Sequence, residues 1–469
     1  MKPNIFIIVI DSFSANQFSG KTKTSITPNL DSLLSQGTYF QQAISVASTT
    51  VPSISGIFTG LYPSNCVTKQ DNVIQIKPNL PNFLQRLEEF GYQTYAELPE
   101  IVSLSGFNNL FKHTKIFDSF ATLYDFGDDI LNTISELQEP WLYYLHLMDL
   151  HGASNIEKDP KLKKFVNSEF GKNKFEQMVS AMDQWLGKIT SKLNFENTIL
   201  IITADHGSPS SEYTDQMENE NKISNELRNS SEKSTYKLGH KIVTKFPGFL
   251  SPLRKKLSEE YIKQRSNKIQ NSAQNRLDKL EGKKISALDQ RLFENAIMTT
   301  GNLFDEVCKI PLLFVGYNIP KGKKVSTQVK SLDIFPTVEE IITTKSCLNP
   351  KFGKSLTPLF KNDTFDEEPI LIESINNSDD ILSNIGIRTS QYKYFRDSKN
   401  SLHNIHLYDL ENDPSEELNI AENHKSIIQD MEQSISSIQN RTFNDQTVQK
   451  ISKKEIDDAK DLLKKLGYI

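Results

Sequence analysis

The chain has 469 residues, 37% of them hydrophobic and 24% charged, with a formal net charge of -5. That balance is typical of a soluble globular protein with a sizeable core, and it gives no global case for a nucleic-acid partner. The three cysteines, Cys66, Cys308 and Cys347, are too few and too scattered for a disulfide framework or a C-x-x-C metal site, and they read as small buried hydrophobes.

The first element is an apolar run over residues 4–10 that ends abruptly at Asp11. Continuous runs of β-branched and aromatic residues read as strands buried on both faces of a parallel sheet. This strand starts so early that no secretory signal fits ahead of it, and no run approaches the eighteen or so apolar residues of a spanning helix, so the expected compartment is the cytoplasm. Residues 27–37 read as a short helix opened by Thr27-Pro28 and closed by Gly37.

A hydroxyl-rich turn, Ser48-Thr49-Thr50, leads through Pro52 into a further helix. A threonine at a helix N-terminus is placed either to act as a nucleophile in the positive end of the helix dipole or merely to cap the helix. Residues 80–90 have a helical period ending in Gly91, residues 140–148 read as a buried strand, and residues 175–193 as a helix. A second buried strand over residues 198–203 ends in Asp205-His206-Gly207.

Repeated strand and helix units predict an α/β fold, a mostly parallel sheet flanked by helices. Ligands of such sheets collect at the carboxyl ends of the strands, so Asp11, Asp205 and His206 form a candidate cation site.

Residues 208–298 change character, first rich in Ser, Asn and acids, then dense in Lys, Arg and Gln, and they read as a polar and basic helical insertion. Within residues 246–256, Phe246-Pro247-Gly248 and Arg254-Lys255-Lys256 offer a weak case for contact with an anionic membrane surface, against a plain solvated face. Strand patterns return at residues 310–316, and short segments around 368–373, 386–389 and 393–395 predict a small sheet, with a last helix over residues 452–466. The expected organisation is a catalytic domain over residues 1–345 and a smaller α+β subdomain over 346–469.

Taken in order, Asp11, Thr27-Pro28-Asn29-Leu30-Asp31, the Thr50-Val51-Pro52-Ser53-Ile54 turn closing on Thr59-Gly60, and Asp205-His206-Gly207 resemble the motifs of the sulfatase family of the alkaline-phosphatase superfamily. The resemblance continues in Leu303-Phe304-Asp305-Glu306, Ile310-Pro311-Leu312, Gly353-Lys354-Ser355 and Leu407-Tyr408-Asp409. It implies an alkaline-phosphatase-like sheet, hydrolysis of a sulfate ester of a small molecule or glycan, and one divalent metal held by Asp11, Asp205, His206 and Thr50. Histidine at position 206 favours manganese or zinc over calcium, which prefers oxygen ligands.

The same resemblance implies that His151 contacts the ester or protonates the leaving group, and that His240 and Lys245 face its oxygens, whereas His146 reads as structural. Three departures stand out. Ser12 replaces a second acid, Thr50 stands where the family has the Cys or Ser that becomes formylglycine, and Ile54 replaces an arginine. Thr50 resembles the nucleophile of the phosphoethanolamine transferases in the superfamily, so phosphodiester or phosphonate monoester cleavage, a soluble phospho-group transferase, and a degenerate non-catalytic binding protein stay open as alternatives.

Overall fold

The computed structural model describes residues 2–70, 73–151, 153, 156–209, 291, 301–343, 352–375 and 383–441. The main strands are β1 (Asn4–Ile10), β2 (Gly37–Ile44), a hairpin of β3 (Val67–Gln70) and β4 (Val73–Ile76), β5 (Gln93–Pro99), β6 (His113–Phe117), β7 (Trp141–Leu147), β8 (Thr198–Thr203), β9 (Lys309–Ile310), β10 (Leu312–Gly316) and β11 (Lys323–Lys330). They build one large sheet of order β11-β2-β10-β8-β1-β7-β5-β6, with β9 on β2 and the β3–β4 hairpin apart.

All seven residues of β1 are buried, which is why its sequence is apolar without alternation. Its parallel neighbours are β7 and β8. The sheet is mostly parallel, as predicted, with β10 antiparallel to both β8 and β2 and β9 antiparallel to β2. Residues 310–316 are also two strands rather than one, because Pro311 between them has no N–H to give a ladder.

Alternation along β7 assigns a helix to each face. Tyr143 points toward Thr133 of the Thr122–Glu136 helix, whereas Tyr144 packs on Phe58 of the Thr50–Thr59 helix with ring centroids 5.1 Å apart. The Pro28–Gln36 helix is tied to the Lys174–Thr190 helix by Asp183, which accepts from the N–H of Asn29 and of Leu30. Gly37 does not close the first of these helices as a left-handed cap; its φ of -136° is extended. It is glycine because it opens β2 against the Phe314 carbonyl, where a Cβ would lie 2.1 Å from that oxygen.

A second, antiparallel sheet follows, of order β12 (Ile370–Glu373), β13 (Asn384–Arg388), β14 (Tyr392–Asp397) and β15 (His406–Asp409). The Lys425–Asn440 helix covers it with Met431, Ile435 and Ile438, a stripe the sequence reading passed over. The helix expected over residues 452–466 lies outside the described residues, as does the 246–256 run. Among the described residues no helix is long and apolar enough to cross a membrane.

An ion-pair cluster fastens the small sheet to the large domain. Asp305 opens the Asp305–Cys308 helix and meets Arg388 at 2.9 Å and the fully buried Lys393 at 2.7 Å. Glu416 also reaches Lys393, at 3.0 Å. Burial works against the Asp305 charge, but Arg388 and Lys393 outweigh it and hold the carboxyl far below the usual range. Burial, opposed by Lys393 and aided by the Asp305 charge, pushes the Glu416 carboxyl up to about 7.

A depressed folded pKa stabilises the fold at pH values above the unfolded value of about 4, and that stability is lost as pH falls below it. Asp305→Asn is therefore expected to cost about 3–5 kcal/mol at neutral pH, as breaking a buried pair does, and to flatten the acid limb of stability. Urea midpoints measured between pH 6 and pH 3 check this; an equally steep acid limb in the variant refutes it.

Candidate active site

The site follows from the register of two neighbouring strands. Val9 of β1 pairs with Thr203 of β8, so two residues further on Asp11 leaves one strand beside Asp205 leaving the other. Both side chains are fully buried. Ser12 follows in the left-handed region, φ 63°, a costly conformation for a residue with a side chain. That geometry lets its hydroxyl donate to Asp11 Oδ1 at 2.6 Å while its N–H donates to Asp205 Oδ1 at 3.2 Å.

Thr50 is the first residue of its helix, and the capping reading does not describe it. Its hydroxyl donates to Asp11 Oδ2 at 3.0 Å and lies 3.3 Å from His206 Nε2. The hydroxyls of Ser45 and of Ser53, one turn along the same helix, both sit 2.5 Å from the Asp205 carbonyl oxygen, so the helix start is tied to the Asp205 turn. Neither serine was singled out from the sequence. Gly60 ends the helix in the left-handed region at φ 66°, its N–H donating to the Gly56 carbonyl at 2.8 Å.

His206 Nδ1 is 2.7 Å from the Gly207 carbonyl. A carbonyl only accepts, so Nδ1 carries the hydrogen and Nε2 turns its lone pair into the site. Gly207 approaches the Glu306 carbonyl so closely that a Cβ would lie 2.3 Å from its oxygen, and its N–H donates to the Val307 carbonyl at 2.7 Å.

Two more imidazoles come from the end of β7. His151 Nδ1 is 3.4 Å from Asp11 Oδ1, with its ring stacked on Phe120 at 5.4 Å between centroids. His146, read as structural, is fully buried with Nε2 3.9 Å from Asp11 Oδ2. Between them Asp149 accepts the Leu123 N–H at 3.1 Å, pinning this loop to a helix start, and burial pushes its carboxyl up to about 7. Ile54, in place of the expected arginine, is fully buried in the apolar core. His240 and Lys245 lie outside the described residues.

The two acids do not carry their charge alike. Burial disfavours the Asp11 charge, but the contacts with His146 and His151 and the field of His206 prevail and hold it well below the usual carboxylate range. Asp205 is pushed up, by burial first and then by the charge of Asp11. His206 is raised despite burial, because both acids favour its imidazolium.

A cation would let both acids ionise, and the donors fit one. Donor atoms of Asp11, Asp205 and His206 all lie within 4.8 Å of one another, and Asp205 Oδ2 is buried with no hydrogen-bond partner among the described residues.

Comparison with known proteins gives the family. The family model described as Sulfatase matches residues 3–342, and that of the N-sulphoglucosamine sulphohydrolase C-terminal region matches residues 294–441. Arylsulfatase K of Rattus norvegicus is 21% identical over 466 residues, covering 93% of this chain and 78% of the relative.

Among solved structures, a protein in complex with its substrate D-glucosamine-2-N,6-O-disulfate superposes with a TM-score of 0.63 at 15% identity, over 94% of this chain and 98% of the other. The phosphonate monoester hydrolase of Agrobacterium radiobacter gives 0.61 at 13% identity, over 94% and 96%. At such identities the structures speak for the fold alone. The family match spans most of the chain and includes both acids and Thr50, so the chain belongs to the sulfatase family of the alkaline-phosphatase superfamily and is a sulfuric ester hydrolase.

Proposed function

We propose that this protein hydrolyses a sulfate ester of a sugar or other small alcohol through a covalent intermediate on Thr50, with one divalent cation held by Asp11, Asp205, His206 and Thr50. The observation that carries the reading is the Thr50 hydroxyl, placed at the start of a ten-residue helix and directed at both Asp11 Oδ2 and His206 Nε2. A divalent cation bound there would supply a Lewis acid that lowers the pKa of that hydroxyl and offsets the negative charge gathered around it.

The chain's own groups supply the rest. Asp11 Oδ2 accepts the Thr50 hydrogen and so aims an oxygen lone pair toward the ester. Attack forms a bond from Oγ1 to sulfur and breaks the bond from sulfur to the alcohol oxygen. The Thr50 proton passes to Asp11 Oδ2, which already accepts its hydrogen bond, and the leaving alkoxide takes a proton from His151, whose ring Phe120 holds at the rim. Water then gives a proton to His151 as it attacks sulfur, the bond from sulfur to Oγ1 breaks, and Oγ1 takes its hydrogen back from Asp11 as sulfate leaves. His240 and Lys245 keep the role the family resemblance gives them, as contacts to the ester oxygens.

The family generally works with a divalent metal, calcium being usual. Here the imidazole of His206 favours manganese or zinc. A sugar sulfate suits the reading because the disulfated glucosamine complex is among the folds this chain matches. A second reading, cleavage of a phosphodiester or phosphonate monoester, is favoured by one residue: Thr50 cannot become formylglycine and matches the phosphorus branch of the superfamily. The likeness to a phosphonate monoester hydrolase is consistent with it.

Side-by-side turnover on aryl sulfate, aryl phosphodiester and aryl phosphonate monoester with added manganese or zinc decides between the two; a higher kcat/KM on the sulfate is the expected result. Thr50→Ala should lower kcat by about 10³-fold or more while retaining metal measured by plasma emission, and unchanged turnover would sink the nucleophile. His206→Asn should weaken manganese and zinc binding by about 10-fold or more in competition titrations and spare calcium. Equal losses for all three metals would refute the preference.

A further inference from the structure

His146 has a feature the mechanism does not use. Its imidazole is fully buried, yet among the described residues Nε2 has no hydrogen-bond partner, which is rare for a buried ring nitrogen. Asp11 Oδ2 lies 3.9 Å from it, longer than a hydrogen bond, and that oxygen also accepts the Thr50 hydroxyl. On the other side Nδ1 lies 2.9 Å from the hydroxyl of Tyr144. Tyr144 is itself buried, wedged between Phe58 at 5.1 Å and Phe111 at 5.7 Å. Residues 144 and 146 share one face of β7, the face that meets the Thr50 helix.

The tautomer follows from these contacts. Were Nδ1 to carry the hydrogen, the Nε2 lone pair would face a carboxylate and the Tyr144 hydrogen would be buried without an acceptor. With the hydrogen on Nε2, Tyr144 donates to Nδ1 and Nε2–H is directed at Asp11.

We propose that Tyr144 and His146 form an outer relay behind Asp11, in which the Tyr144 hydroxyl fixes the His146 tautomer and Nε2–H orients the carboxylate that receives the Thr50 hydroxyl. The proposal rests on the metal reading above, and it makes these two residues positioning residues for metal affinity. Oriented ligand carboxylates are characteristically backed by such donors, whose loss costs about 10–100-fold in affinity.

Two measurements on the full chain test it. The first uses the metal-free protein labelled with ¹⁵N-histidine, with the His146 resonances identified by their loss in His146→Gln. Long-range nitrogen–proton correlation should report the Nε2–H tautomer in the wild type and a shift away from it in Tyr144→Phe, a variant that keeps the ring packing on Phe58 and Phe111.

The second titrates manganese and zinc. Tyr144→Phe and His146→Leu should each weaken binding by about 10–100-fold, and His146→Gln, whose amide N–H replaces the donor, should recover most of the loss. An Nδ1–H tautomer in the wild type overturns the relay, as does unchanged affinity in both Tyr144→Phe and His146→Leu. A wild type that takes up neither metal refutes the metal reading instead, and the tautomer measurement still decides the relay.

Discussion

The structure turns on two carboxylates that the sheet forces together. β1 and β8 are neighbouring parallel strands in register, so the residues just past their ends stand one strand spacing apart, and both are acids. Like charges at about 5 Å repel by about 3 kcal/mol at an effective dielectric of about 20, and burial adds to the cost. Nearly every polar group nearby answers that cost. Ser12 accepts a left-handed backbone to put its hydroxyl on one acid and its N–H on the other. Three imidazoles gather around Asp11, and Thr50 places its own hydroxyl between Asp11 and His206.

Such a constraint is written locally, and that is why much of it could be read from the chain. A seven-residue apolar run ending in Asp, and a second ending in Asp-His-Gly, carry both strand identity and rim position in consecutive residues. What resisted reading was brought in from a distance. Ser45 and Ser53 are ordinary hydroxyls until the fold sets them on the Asp205 carbonyl, and His146 is an ordinary core histidine until β7 lies beside β1. The reversed direction of β10 was hidden for a related reason, since a strand buried on both faces looks alike in either orientation. The Lys425–Asn440 helix escaped because its buried residues are spaced among charged ones and Ser-rich turns, which hides a stripe of only three.

The departures from the family pattern are consistent with one another. Ile54 lies one turn along the helix from Thr50, fully buried among aliphatic and aromatic residues. An arginine there would bring a desolvated cation into an apolar core, so its absence is built into the packing and is not a simple deletion. Without it, the basic groups left around Thr50 and Asp11 among the described residues are imidazoles. His206 is raised by the two acids, and His151 sits against Asp11. On the proposed reading, a threonine served by imidazoles and a cation suits a singly charged ester, because a fully ionised phosphate monoester needs more fixed positive charge in its transition state than imidazoles supply.

The small antiparallel sheet belongs to this chemistry as well. Ala47 pairs with Glu373 in an isolated parallel bridge, the Glu373 N–H donates to the Val46 carbonyl at 3.0 Å, and the Thr49 hydroxyl donates to the Ile375 carbonyl at 3.2 Å. The loop that delivers Thr50 is thus held from one side by Ser45 on the Asp205 turn and from the other by the end of β12. Asp305, through Arg388 and Lys393, anchors that same sheet to the short helix whose Val307 carbonyl receives Gly207. Both sides of Thr50, its own loop and the Asp-His-Gly turn, are therefore linked to one buried charge cluster. A loose clasp there would move Thr50 relative to Asp11, and a hydrogen bond of 3.0 Å tolerates little of that motion.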